Sequence, residues 1–151
     1  MKIVNPATEE VVKEIAEDNE SSLREKHQNL RDFQPEWAAT PLKERIACIQ
    51  RFTELLEEEK EELGKDLTAE MGKPLSQAIG EVQAAVGKTQ FFIDNSEKYL
   101  AEEWVTTEGG TKEKISYEPY GVICNISAWN YPYLVGINIY IPALIGGNTV
   151  F

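Results

Sequence analysis

Apolar residues follow a helical period as far as Leu100, then alternate, then run together without a single charge from Pro119 to Phe151. In the helical part, Leu23, Leu30, Phe33 and Trp37 fall on one face of a segment opened by Ser21 or Ser22, a residue type that caps helix N-termini. Pro35 interrupts it. Proline lacks an N–H and clashes with the preceding turn, so a kink or early end is predicted near Phe33–Gln34. Thr40-Pro41 restarts the chain as N-cap and first helical residue, with Leu42, Ile46, Ile49, Phe52 and Leu56 as the inward stripe. The acidic run from Glu57 to Glu62 reads as a solvated face or a break between two helices. Leu63, Leu67 and Met71 resume the stripe, and Gly72 followed by Pro74 stops it. Ser76 is the cap expected for the next helix, which turns Ile79, Val82, Val86 and Ile93 inward. Gly80 and Gly87, on one side of it, predict close approach of another helix.

Both flanks of this helical part read as β-structure. Asn5-Pro6-Ala7-Thr8 signals a turn, and Val11-Val12 and Ile15-Ala16 a hairpin or strand pair expected to pack on a larger sheet. Val105 to Thr107 and Ile115 to Tyr117, around Gly109-Gly110, predict a β-hairpin that would gain from pairing with a partner. In the uncharged stretch, Val122, Ile123, Cys124 and Ile126 predict a strand buried on both faces. Pro132 suits the first turn of a helix, Leu134, Ile137, Ile141 and Leu144 give its stripe, and Gly146-Gly147-Asn148 its left-handed end. A second strand begins at Thr149. Strand, turn, helix and strand make the first βαβ step of a parallel sheet.

Open α/β sheets bind ligands beyond the carboxyl ends of their strands, where helix N-termini present unpaired N–H groups. Here that place is Ser127-Ala128-Trp129-Asn130. The Asn130 side chain carries a neutral NH2 donor that can hold a developing oxyanion; equally, an asparagine beside a helix start can cap the turn.

Three ordered motifs surround that place. Tyr117-Glu118-Pro119-Tyr120-Gly121-Val122-Ile123, then Ala128-Trp129-Asn130-Tyr131-Pro132, then Pro142 to Val150 resemble the NAD(P)-dependent aldehyde dehydrogenase superfamily. The resemblance extends to Asn5-Pro6-Ala7-Thr8 and to Glu70-Met71-Gly72-Lys73-Pro74-Leu75, so it covers essentially the whole chain. Two positions depart from it: Ala128 stands where proline is usual, and Asn125 is polar within an apolar strand. The resemblance implies an α/β fold: an N-terminal helical segment, an oligomerisation hairpin, and the first βαβ step of a Rossmann-like parallel sheet, incomplete. Its divisions are 1–103 for the strand pair and helices, 104–118 for the hairpin and 119–151 for the start of the dinucleotide-binding sheet. It further implies that Asn130 donates to the oxyanion formed when a cysteine attacks an aldehyde, and that NAD or NADP lies along Ser127, Ala128, Trp129 and Asn130. The family's nucleophilic cysteine, general-base glutamate and ribose-binding lysine fall beyond Phe151, so the chain reads as the front of an enzyme, inactive in isolation.

Charge and cysteine content narrow the alternatives. The 151 residues carry a net charge of -11, all of it before Thr111. An acidic chain is repelled by phosphate backbones, which disfavours nucleic acid. Cys48 and Cys124 lack metal-type spacing and read as small buried residues in a reducing cytoplasm. His27, the only histidine, reads as a helix-surface residue, and no metal site is expected. Met1 to Pro6 shows no secretory leader. The apolar run Tyr133 to Gly147 is shorter than the roughly 20 residues that span a bilayer. The competing reading is a non-catalytic fragment or interaction module. The partners expected are a small aldehyde, and a second copy or a completing chain.

Overall fold

The inward stripes of three helices meet on one uncharged helix. The computed structural model describes residues 1–106 and 112–151. Its elements in order are β1 (Lys2–Val4), β2 (Val11–Glu14), α1 (Glu20–Ala39), α2 (Leu42–Glu58), α3 (Lys60–Met71), α4 (Leu75–Tyr99), β3 (Glu103–Thr106), β4 (Lys112–Ile115), β5 (Val122–Ile123), α5 (Leu134–Ile145) and β6 (Thr149–Val150). Ile137, Ile141 and Ile145 of α5 are fully buried against Ile49 and Leu56 of α2 and Ala85 of α4. Burying each such isoleucine is worth about 1.5–3 kcal/mol. Phe52 meets the Tyr140 ring edge-on, with centroids 6.4 Å apart. Buried Thr53, Thr89 and Ser96 return their hydroxyls to the carbonyl four residues earlier, which satisfies them inside the core.

β5 and β6 pair in parallel, Val122 with Thr149 and Ile123 with Val150, with α5 as the crossover. This is the predicted strand, turn, helix and strand. Gly147, at φ 87°, supplies the left-handed residue after α5. Gly72, at φ 70°, does the same after α3, and a Cβ there would come within 2.9 Å of Pro6 Cγ, so the Asn5-Pro6 turn packs over that helix end. β3 and β4 pair antiparallel, with Glu103 opposite Ile115, two to three residues ahead of the predicted strands. The Gly109-Gly110 turn lies outside the described residues.

Several expectations are corrected. Asn19, not Ser21 or Ser22, caps α1; its side chain accepts from Ser22 N, and Ser22 Oγ accepts from Asn19 N, a reciprocal box. α1 continues through Pro35 to Ala39. Tethers on both sides of the proline hold it: Trp37 Nε1 donates to Leu144 O at 2.8 Å and Gln34 Nε2 to Gly147 O at 3.0 Å. Thr40 closes α1 by returning its N–H and hydroxyl to Glu36 O, so α2 starts at Leu42 without a side-chain cap. Pro74, not Ser76, precedes α4. Gly80 and Gly87 face open space; the close approach is at Gly64 of α3, where a Cβ would lie 2.6 Å from Ile79 Cγ1. β1 and β2 form a separate two-stranded sheet, because their side chains are exposed except for half-buried Ile3.

The predicted burial of the 122–126 strand is also corrected. Val122 and Ile123 are half-buried, Cys124 is exposed and Ile126 is 92% exposed. α1 lies against this short sheet, and nothing among the described residues covers Ile126.

Candidate active site at the head of helix α5

After β5 the chain runs without regular structure from Cys124 to Ala128, with Asn125 N donating to Phe151 O at 2.9 Å. Asn125, polar where an apolar strand residue was expected, follows the strand and accepts from Ser127 Oγ at 3.0 Å. Trp129 and Asn130 form the turn. The first helical bond runs from Val135 N to Tyr131 O at 2.9 Å, which places Pro132 in the first turn, where its missing N–H is not needed. Helix and the segment before it approach closely because residue 136 is glycine: a Cβ there would stand 3.0 Å from Tyr140 Cε1 and 3.2 Å from Ser127 Oγ.

The four residues singled out from sequence, Ser127, Ala128, Trp129 and Asn130, lie together and are all exposed. They sit beyond the carboxyl end of β5. One expectation there does not hold: the N–H groups at the head of α5 are not free. Glu81 of α4 accepts from Tyr133 N at 3.0 Å and from Leu134 N at 3.4 Å through one carboxylate oxygen. The other oxygen accepts from Lys73 Nζ, in an ion pair whose side chains are 12% (Lys73) and 1% (Glu81) exposed. Lys73 also donates to Asn130 O at 3.0 Å and lies 3.9 Å from the Tyr131 ring centroid. A carboxylate thus occupies the place where an anionic ligand group would be drawn by the helix dipole.

Sequence reasoning missed Glu81. The available signal was its spacing: it lies three residues after Ala78 and four before Ala85, both fully buried, so a lone carboxylate sits on the inward face of a helix. The Tyr133 phenol is pushed above its usual range by burial and then by the carboxylates of Asp66, Glu70 and Glu81. It donates to Leu63 O at 3.4 Å, anchoring the same helix start to α3.

The two cysteines differ in exposure. Cys48 is half-buried on α2, and Cys124, expected to be buried inside a strand, follows β5 and is exposed. Cys124 lines a cavity of about 560 Å³ against α1 with Leu23, His27 and Phe151; Asn130 is not part of it. Among the described residues no three His, Cys, Asp or Glu side chains cluster as a metal site, and no helix is long and apolar enough to cross a membrane.

Open α/β sheets bind ligands at corners of this kind, between a strand end and a helix start. The chain belongs to the aldehyde dehydrogenase family, whose profile matches residues 1–151. A probable NADP(+)-dependent succinate-semialdehyde dehydrogenase of Synechocystis sp. is 31% identical over 97% of the chain and 32% of its own length. The NADP-dependent glyceraldehyde-3-phosphate dehydrogenase of Bacillus halodurans, solved with NADP, superposes with a TM-score of 0.93 at 30% identity, over 99% of the chain and 33% of that structure. An NAD-dependent benzaldehyde dehydrogenase of Corynebacterium glutamicum superposes at 0.90, also at 30% identity and over 33% of its length. The chain therefore spans about a third of the length of these relatives.

Proposed function

We infer that the chain forms the N-terminal part of an aldehyde dehydrogenase, in which Asn130 is the oxyanion donor. The observation that carries this is the exposed Asn130 at the carboxyl end of β5, in a chain that matches the family from end to end. An amide donor there stabilises the oxygen of an aldehyde as a cysteine adds to it, and again as the thioester is hydrolysed. In this reading the nucleophile comes from further polypeptide, since Cys48 lies on α2 and Cys124 lines the cavity against α1.

The exposed segment from Ser127 to Trp129 fits one side of a dinucleotide that runs past a strand end. Its main chain is open, and Ser127 brings a hydroxyl. The head of α5 contributes no anion cradle, since Glu81 holds its N–H groups. Bound there, NAD or NADP would supply the hydride acceptor. Residues 1–103 serve as the helical support, 104–118 as the hairpin and 119–151 as the start of the cofactor sheet.

The test is turnover by the protein purified from its own cells, with NAD or NADP and a series of aldehydes. Asn130→Ala should lower kcat by about 10²–10³-fold. Full turnover in that variant removes the role. A second reading, an interaction module, is favoured by the exposure of Tyr120 (96%), Ile126 (92%) and Trp129 (80%). An intact native mass of 17.1 kDa and absence of aldehyde oxidation would favour it.

A further inference from the structure

Lys73 and Glu81 belong to neither the proposed cofactor segment nor the oxyanion donor, yet both hold the chain from Asn130 into the start of α5. Glu81 holds the two N–H groups just after it, at Tyr133 and Leu134. Lys73 holds its main-chain carbonyl and stands against the ring of the next residue, Tyr131. The two side chains are themselves joined in a buried ion pair. The pair's hydrogen bonds to the main chain here therefore all fall within four residues of Asn130.

Capping alone does not require this arrangement. An asparagine or serine at the helix start would satisfy the same N–H groups locally, without burying a carboxylate and an ammonium. α5 has no such local cap. Its cap comes from Glu81, more than fifty positions earlier, and is bridged through Lys73 to the carbonyl of the donor residue. The Asn130 side chain leaves the backbone of this turn, so holding Asn130 O and the N–H groups at 133 and 134 restricts how the turn, and the amide it carries, can rotate. An oxyanion donor must be held in place before charge develops.

We propose that Lys73 and Glu81 are positioning residues that hold the Asn130 turn so that its amide donor is preorganised. This rests on the role given to Asn130 above. It also gives a use to the Gly72-Lys73-Pro74 stretch: the left-handed Gly72 ends α3, and the lysine directly after it reaches across to α4 and the turn.

The experiment is a double-mutant cycle in the full protein, with hydrogen exchange over residues 128–134 as a second readout. Lys73→Met is expected to lower kcat by about 10², to raise exchange over 128–134, and to cause no further loss when added to Asn130→Ala. Glu81→Gln, which keeps an acceptor for Tyr133 N, should show a smaller loss of the same kind. Leu67→Ala, a core truncation in α3, controls for lost stability and should leave kcat unchanged. Losses from Lys73→Met and Asn130→Ala that multiply overturn the proposal, as does a Lys73→Met variant with unchanged kcat. If the wild-type protein oxidises no aldehyde, the dehydrogenase reading falls, and exchange decides on the pair: unchanged exchange over 128–134 in Lys73→Met overturns it, and faster exchange supports it.

Discussion

Glu81 accepts the main-chain N–H of Tyr133 at 3.0 Å, joining the second turn of α4 to the head of α5 across 52 positions of sequence. The carboxylate is also the partner of Lys73, whose side chain is 12% exposed. Removing it by Glu81→Ala leaves a buried ammonium without its counter-charge and two helix N–H groups without an acceptor. The expected cost is about 3–5 kcal/mol, read as a lower urea midpoint. A loss below 1 kcal/mol would mean that solvent reaches the pair.

Arg45 does at the other end of α5 what Glu81 does at its head. Its guanidinium donates to Ile145 O at 2.9 Å and to Ala38 O at 3.0 Å, and also to Thr40 O, so one cation serves the carboxyl ends of α5 and α1. Arg45→Met should cost at least about 1.5–3 kcal/mol, the worth of a single hydrogen bond to a charged group. Arg45→Lys should recover only part, because an ammonium lacks the fork that reaches three carbonyls. Equal midpoints for the lysine variant and wild type would contradict this.

Glycines in neighbouring helices should respond with opposite sign. Gly64→Ala drives a Cβ to 2.6 Å from Ile79 Cγ1 and 3.2 Å from the Ile79 main-chain nitrogen, and is expected to destabilise by about 1–3 kcal/mol. Gly80→Ala meets nothing within 4 Å on an exposed helix face, and should stabilise by about 0.5–1 kcal/mol. Thermal melts of the two variants check both signs.

Alkaline pH should unfold the protein partly through Tyr140. Burial pushes its phenol up to about 12, against about 10 for an exposed tyrosine. The unfolded chain releases this proton first, so its contribution is complete below the unfolded value and is lost as pH rises through the folded one. Tyr140→Phe should flatten the fall in stability across that window; an unchanged slope would place the loss elsewhere.

Thiol reagents should find Cys124 before Cys48, since the first is exposed and the second half-buried on α2. Peptide mapping after brief alkylation should show label at 124. Equal labelling of both sites would mean that α2 opens readily.

The helices were legible because their signals are local. The stripe at Ile46, Ile49, Phe52 and Leu56, the stop at Gly72 and the turn at Asn130-Tyr131-Pro132 each depend on residues within a few positions of one another. The failures share a cause. Pro35 predicts a break only while its helix is considered alone; Trp37 and Gln34, bonded to the end of α5, carry α1 past it. Gly80 and Gly87 carry a period that suits close packing, but among the described residues nothing lies within 4 Å of a Cβ at either.

The sequence by itself determined that an uncharged strand, turn and helix follow a charged helical segment, and that Asn130 stands in that turn. Periodicity, proline and glycine placement and the order of the motifs suffice for this. Only the tertiary structure decided how the uncharged helix is held. α5 contains no charge and no local cap; its polar ends are met by Glu81 and by Arg45, the latter 100 positions from Ile145. A helix must have its end groups paired wherever it is buried. The partners that pair them are chosen by packing in three dimensions, which no local pattern in the chain records.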